Sequence, residues 1–450
     1  MKVRQHPPRI LSLLSNPAKA AELPTILGKC KKAARKGDYL HWDQLRHKTP
    51  PEGLSAEDWW LGTKMERMGA MHDVPLLSKE GTSFAFSLPE SVLAELYEID
   101  VGAGRSLGLP EPITNPQTKD QYLMRSLMEE AITSSQLEGA VTTREVAKEL
   151  IRTGRPPRDT SERMILNNFV TMQHITELKA GPLTPERVFE IHRMVTDGTL
   201  DDPTAAGRFR HPGEHRVVAD AYGEVFHEPP KAEELPWRLR AMCDFANGES
   251  PDYFVHPAIR AIILHFWLAY DHPFVDGNGR TARALFYWAM LHHGYWLFEF
   301  ISISHILRQA PAQYSRSFLY TETDDNDLTY FIVAQARVIR AAIDALDVYL
   351  DRKSREQQEL DLRVRALDLF NHRQGELIRH ALKHPHHQYT IAAHQQSHRI
   401  VYQTARSDLL DLQRWGLLSR KRKGKLFVFQ VPPDLEARLR GLEKQITPAP

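Results

Sequence analysis

The pattern of apolar and polar positions changes three times along the chain. From about residue 119, apolar residues recur every three to four positions through QYLMRSLMEEAITSSQLEG, REVAKELIRTG, RMILNNFVTMQHITEL and PERVFEIHRMVTDG, which predicts a run of amphipathic helices. The pattern breaks at residues 207–230, where Val217, Val218, Tyr222, Val225 and Phe226 alternate around Asp220 to Gly223 and predict a short β-hairpin. Helical periodicity resumes and ends in a long run over residues 328–370, with a domain junction expected near residue 350. Before residue 119, short apolar clusters alternate with turn signals at Thr49-Pro50-Pro51 and Glu80-Gly81, so residues 1–118 read as a small mixed segment. After residue 372 the order is helix, helix, helix, hairpin: RQGELIRHALKHP, YTIAAHQQS, VYQTARSDLLDLQRWGLL and a strand pair in SRKRKGKLFVFQV. The fold class expected is mostly α, in three blocks: an N-terminal segment (1–118), a helical core with a β-hairpin (119–350), and a linker helix with a small C-terminal domain (351–450).

Composition narrows the classes. At 450 residues and 42% hydrophobic content the chain can build two or three compact domains. No run approaches the ~20 apolar residues of a membrane helix, and the first twenty residues lack a signal-peptide core, so a soluble, cytoplasmic protein with no membrane partner is expected. Cys30 and Cys243 are too few for a disulfide framework or a cysteine-built zinc site. The formal charge is only +1, but its distribution is uneven: residues 371–430 hold eleven Lys or Arg against three acids, about +8, which leaves −7 for the rest. Such asymmetry suits a module that meets a polyanion. The seven histidines between His372 and His398 lack ordered ligand spacing, and no structural zinc is expected there.

The most informative stretch is HFWLAYDHPFVDGNGRTARALFYWAMLHHG (265–294), an apolar helix that enters a polar glycine loop and leaves as a second apolar helix. Gly277 and Gly279 let the backbone turn and expose amides, and a helix starting near Arg280 adds free N–H groups and the positive end of its dipole. Arg280 and Arg283, three apart on the first turn, can hold phosphate oxygens. Asp276 offers the hard oxygen that Mg²⁺ prefers, and His272 can take a proton from an attacking hydroxyl near neutral pH. An ordinary interhelical turn capped by His272 would need none of these groups together. The set suits in-line attack on a nucleotide phosphate.

These residues, His272-Pro273-Phe274-Val275-Asp276-Gly277-Asn278-Gly279-Arg280-Thr281-Ala282-Arg283, fill every specified position of the Fic family motif HPFx[D/E]GNGRxxR, and the chain from about 119 to 345 resembles that family's helical core. The resemblance implies a protein AMP transferase that uses ATP and Mg²⁺ to modify a Ser, Thr or Tyr hydroxyl of a target protein, itself included. It implies that His272 is the general base, that Asp276 binds the metal, that Asn278 and the amides of Gly277 and Gly279 hold the α- and β-phosphates, and that Arg280 and Arg283 engage the outer phosphates. The hairpin resembles the flap that clamps a target segment by strand addition, along His215, Arg216, Val217, Val218 and Ala219. Upstream, Ser134, Glu138 and Gly139 match the inhibitory pattern [S/T]xxxE[G/N]. Helical spacing puts Ser134 and Glu138 on one face, with Glu138 at the helix end before Gly139. By the resemblance, Glu138 pairs with Arg283 and withholds it from the γ-phosphate. Tyr314 resembles a tyrosine near the family's nucleotide pocket.

The C-terminal order resembles a winged helix-turn-helix. Its third helix, Tyr402 to Trp415, would bury Ala405, Leu409 and Leu412 while presenting Gln403, Thr404, Arg406 and Ser407, and Arg422 and Lys423 would lie in a basic wing, so DNA is an expected partner of this module. Two other readings stay open: the same site could remove AMP from a modified protein, with Glu138 positioning a water, or the chain could be a DNA-binding regulator whose core senses nucleotide. The sequence also leaves a homodimer open.

Overall fold

A computed structural model describes residues 5–33, 39–104, 116–214, 216–219, 223, 225–366, 369–385, 387–423 and 426–446. The chain is mostly helical, as the periodicity predicts, and divides into two compact units: residues 1–105 with 125–344, and residues 106–124 with 345–450. The first hundred residues therefore fall in the same unit as the helical core. No helix among the described residues is long and apolar enough to cross a membrane.

The N-terminal part of the first unit comprises α1 (Ile10–Leu14), α2 (Pro17–Ala33), α3 (Trp42–Leu45), α4 (Ala56–Met68), the antiparallel pair β1 (His72–Leu77) and β2 (Ser83–Phe86), and α5 (Glu90–Gly104). Its helices share a core of Leu13, Ile26, Cys30, Trp42, Leu45, Trp60 and Leu61. Buried polar links tie it to later helices. Lys64 pairs with Asp324 at 2.6 Å, and the Arg67 guanidinium lies 3.7 Å over the Tyr39 ring while donating to the Tyr330 hydroxyl. A buried cation without such partners would be costly, so these pairs fix how the segment docks.

The core of this unit follows with α6 (Pro116–Leu137) from residue 125 on, α7 (Arg144–Thr153), α8 (Thr160–Leu178), α9 (Pro185–Thr196), a hairpin of β3 (Val218–Ala219) and β4 (Val225–His227), then α10 (Leu235–Ala246), α11 (Pro257–Asp271), α12 (Asn278–His292), α13 (Ile303–Gln309), α14 (Pro311–Thr323) and α15 (Thr329–Ala366) up to residue 344. Helices α11 and α12 pack against each other at the centre. Every α11 residue from Ala258 to Leu268 is buried, and so is every α12 residue from Arg280 to Leu291. An all-round apolar helix of this kind can only be a central one. Helices α8 and α9 cover α12, and α10 covers α11, so the loop joining the central pair is held by buried elements.

In the second unit, α16 (His372–Lys383), β5 (Gln388–Tyr389), α17 (Ile391–His398), α18 (Tyr402–Arg414), β6 (Ser419–Lys423), β7 (Leu426–Gln430) and α19 (Leu435–Ile446) surround a core of Leu377, Ile378, Ala381, Leu409, Leu412, Leu418 and Phe429. The three strands are antiparallel in the order β5-β7-β6, with Arg420 opposite Phe429 and Arg422 opposite Phe427.

Candidate active site

The loop between α11 and α12 is shaped by two left-handed residues. His272 closes α11 at φ 44°, its N–H donating to the Leu268 carbonyl at 3.0 Å, and Gly277 opens α12 at φ 80°. A left-handed residue with a β-carbon is uncommon and marks a position where the side chain is needed more than ease of folding. The His272 ring is half-buried, with Nδ1 3.4 Å from the Ala269 carbonyl. That contact puts the ring proton on Nδ1 and leaves the Nε2 lone pair to accept one. Burial, helped by the neighbouring His227, holds the His272 pKa down at about 4, so the ring is neutral at physiological pH. Arg210 braces this turn: its Nε donates to the His272 carbonyl at 3.0 Å and its backbone N–H to the Pro273 carbonyl at 2.9 Å.

The second half of the loop is fixed by a residue the sequence did not flag. His192, fully buried on α9, accepts from the Gly207 N–H through Nδ1 at 2.9 Å and donates from Nε2 to the Asp276 carbonyl at 2.9 Å. Its ring stacks on Phe274 with centroids 3.7 Å apart. This clamp leaves the Asp276 carboxylate outward, its side chain 59% exposed and its Oδ2 3.4 Å from Arg280. Gly277 is required by contact as well as by φ, because a β-carbon there would meet Thr196 Cγ2 at 2.6 Å.

Helix α12 begins at Asn278, two residues earlier than expected, so the first free amides are those of Asn278, Gly279 and Arg280. The Asn278 side chain turns inward: Oδ1 accepts from the Phe274 N–H at 3.0 Å, and Nδ2 donates to the Phe274 carbonyl at 2.9 Å. Its side chain closes the loop, and its backbone N–H is what it offers an anion at the helix N-terminus. Arg280 is 1% exposed, donates to the Val195 carbonyl at 3.0 Å, and has a buried Nε with no partner. An orphaned buried donor beside an anion cradle leaves capacity for a ligand oxygen.

Ser134 and Glu138 meet Arg283. The guanidinium is 1% exposed; Nε donates to Ser134 Oγ at 2.8 Å, and one terminal nitrogen donates to the Ser134 carbonyl and to Glu138 Oε1, each at 2.9 Å. The Glu138 carboxylate also lies over the first turn of α12, for a β-carbon on Gly279 would find its Cδ at 2.8 Å. One carboxylate thus occupies the cation and the helix N-terminus together. Gly139, at φ 94°, reverses the chain immediately afterwards. Helix α6 is held in register by Glu130, a buried carboxylate that accepts from the Tyr287 and Ser302 hydroxyls at 2.8 Å each and from Ser304. Tyr314 stands nearby, its hydroxyl 2.8 Å from His265 Nε2.

Residues 182–290 match the Fic/DOC family profile. This chain carries a Fic/DOC domain. Among curated relatives, "Protein adenylyltransferase Fic" of Nematostella vectensis is 30% identical over 168 residues, 36% of this chain and 37% of that protein. "Protein adenylyltransferase fic-1" of Caenorhabditis elegans is 36% identical over 108 residues, 24% of this chain and 19% of that one. The matched stretch therefore spans little more than a third of these relatives at most. The fold also matches the crystal structure of a Fic family protein from Desulfovibrio desulfuricans, with a TM-score of 0.50 at 19% identity over 77% of this chain and 97% of that one.

The Fic match contains His192, Arg210, the hairpin and the whole His272–Arg283 loop, whereas Ser134, Glu138 and Tyr314 lie outside it. In the hairpin of the Fic domain, Arg216, Val217, Val218 and Ala219 are exposed, and Arg216 Nε donates to the Val275 carbonyl at 2.9 Å; His215 lies outside the described residues. In the second unit, Gln403 and Arg406 are exposed on α18, Thr404 is half-buried, and Arg422 is exposed on β6; of Lys423 the backbone alone is described, paired with Leu426.

Proposed function

We propose that the protein transfers AMP from ATP to a hydroxyl of a protein, and that Glu138 inhibits the transfer from within the same chain. The observation that carries this reading is the Glu138 carboxylate, seated at once on Arg283 and on the first turn of α12. A helix N-terminus flanked by two buried arginines is built for phosphate, and a carboxylate of the same chain already stands in it. Neutral His272 takes the proton as the target oxygen bonds to the α-phosphorus; the α–β bridging oxygen leaves with pyrophosphate. Arg280 and Arg283, with the α12 amides, hold the phosphates. The exposed Asp276 carboxylate, kept outward by the His192 clamp, fits Mg²⁺, which would neutralise phosphate charge. Exposed backbone at Arg216 to Ala219 is the edge on which an extended target segment would add as a strand. The test is incubation with α-³²P-ATP and Mg²⁺ followed by mass analysis of the protein and of added lysate proteins. A mass increase of one AMP is expected, and its absence from both wild type and Glu138→Gly refutes the reading.

The second unit supports a further role. We read it as a winged helix-turn-helix that meets DNA through Gln403, Thr404 and Arg406 on α18 and Arg422 and Lys423 in the β6–β7 hairpin. The support is the local excess of about eight positive charges together with the buried Ala405, Leu409 and Leu412, which turn the polar side of α18 outward. Duplex DNA should be retarded by the intact chain with an affinity that falls steeply with salt; the absence of a shift at low salt refutes it.

A further inference from the structure

His227, at the end of β4, is 8% exposed and has both ring nitrogens in short contact with acceptors. Nε2 lies 2.7 Å from the Tyr270 carbonyl, which can only accept, and Nδ1 lies 2.7 Å from Glu322 Oε2 on α14. A neutral imidazole has one N–H and cannot donate to both; an imidazolium can. We propose that His227 is a positioning residue of the AMP-transfer site, doubly protonated, which pins the flap hairpin to Glu322 and to the last turn of the helix that ends at His272. The inference rests on the transfer reading for its kinetic part. The pin joins three elements: β4 carries the flap, Tyr270 stands two residues before His272, and α14 carries Glu322.

The charges around it suit a cation. Asp271, on α11, faces His227 while accepting from Arg238 and Trp267 at 3.0 Å each; burial pushes its pKa up to about 6, and the charge of His227 opposes that rise. From the flap itself, Glu228 is paired with Lys79 of the β1–β2 turn at 2.9 Å, and Tyr270 accepts from the Lys79 N–H. Arg210 donates to the His272 carbonyl of the same turn. The cation also disfavours the charged form of His272, for which a positive neighbour is an advantage, because it keeps the base deprotonated.

Two variants separate the pin from the charge. Glu322→Gln keeps a partner for Nδ1 but removes the anion, so His227 becomes neutral with the flap still tied; His227→Gln removes the charge and one of the two bonds. In the full chain carrying Glu138→Gly, both should move the acid limb of the transfer rate up by about one pH unit. Only His227→Gln should also raise KM for the protein target, several-fold. Selective ¹⁵N-histidine labelling gives a readout free of activity: His227, assigned by its loss in His227→Gln, should show two protonated ring nitrogens at pH 7. A single protonated nitrogen, or pH profiles that superimpose on the parent, overturns the inference. If the parent transfers no AMP at all, the functional reading fails instead, and the NMR result alone decides the protonation of His227.

Discussion

Under the proposed reaction, removing the Glu138 side chain should raise the rate of AMP transfer. In Glu138→Gly the 2.9 Å pair with Arg283 is lost, and so is the carboxylate that covers Gly279. Two unit charges about 4 Å apart are worth about 4 kcal/mol at the effective dielectric of a partly buried pair. Arg283 is buried, but the Glu138 side chain is 29% exposed, so solvent screening reduces the figure, and about 1.5–3 kcal/mol is the part ATP must overcome to claim the arginine. Converted at about 1.4 kcal/mol per decade, relief amounts to roughly tenfold to a hundredfold in transfer rate at subsaturating ATP. The arginine itself should stay in place, since Ser134 holds it through two hydrogen bonds that do not involve Glu138. The assay is the initial rate of ³²P transfer from α-labelled ATP. Adding Arg283→Ala to Glu138→Gly should abolish the gain, because the freed cation is what produces it. Equal or slower transfer by the single variant would refute the inhibitory role and favour the reading in which Glu138 assists AMP removal.

His272→Ala should lower transfer by about 10²–10⁴-fold while ATP affinity by calorimetry changes little, because the ring acts on the target hydroxyl and makes no phosphate contact in this reading; retention of most of the rate would remove it from the chemistry. Asp276→Ala should abolish the Mg²⁺ dependence of nucleotide binding without lowering the melting temperature, as its carboxylate is exposed and only its backbone carbonyl is used structurally. Stability should fall with acid. His192 and His272 have pKa values lowered to about 4 and His265 to about 3, all by burial, so between there and pH 6.5 the unfolded chain binds more protons than the folded one. The melting temperature should hold above about pH 7 and decline steadily towards pH 4; a flat profile down to pH 4.5 would contradict the neutral burial of these rings.

How much of the site was legible depended on the distance over which each residue acts. The loop His272–Arg283 could be read because its chemistry is contiguous: two glycines, a helix start and three charged groups fall within twelve residues. Glu138 stood out through the resemblance of Ser134, Glu138 and Gly139 to the inhibitory pattern, and its partner in the structure stands 145 residues away. The clamps were not readable. His192 works through Gly207 and Asp276, Arg210 through the carbonyls of His272 and Pro273, and Glu130 through three hydroxyl side chains beyond residue 286. Such bonds leave no periodic trace, since backbone carbonyls carry no side-chain identity. One faint signal existed for His192, a polar residue in the apolar stripe of Val188, Ile191 and Val195, where a buried imidazole must find partners. Asn278 shows the opposite failure: as part of a phosphate loop its amide reads as a ligand, yet both its polar atoms serve Phe274. The residues that make a loop hold its shape are chosen by the same fold that makes it bind. Asn278, His192 and Arg210 set the backbone of this loop, and the groups not used in doing so are the outward carboxylate of Asp276, which reaches Arg280 at 3.4 Å, the Arg280 Nε and the His272 Nε2. In the proposed reaction, those three are what an incoming nucleotide and hydroxyl would meet with Glu138 displaced.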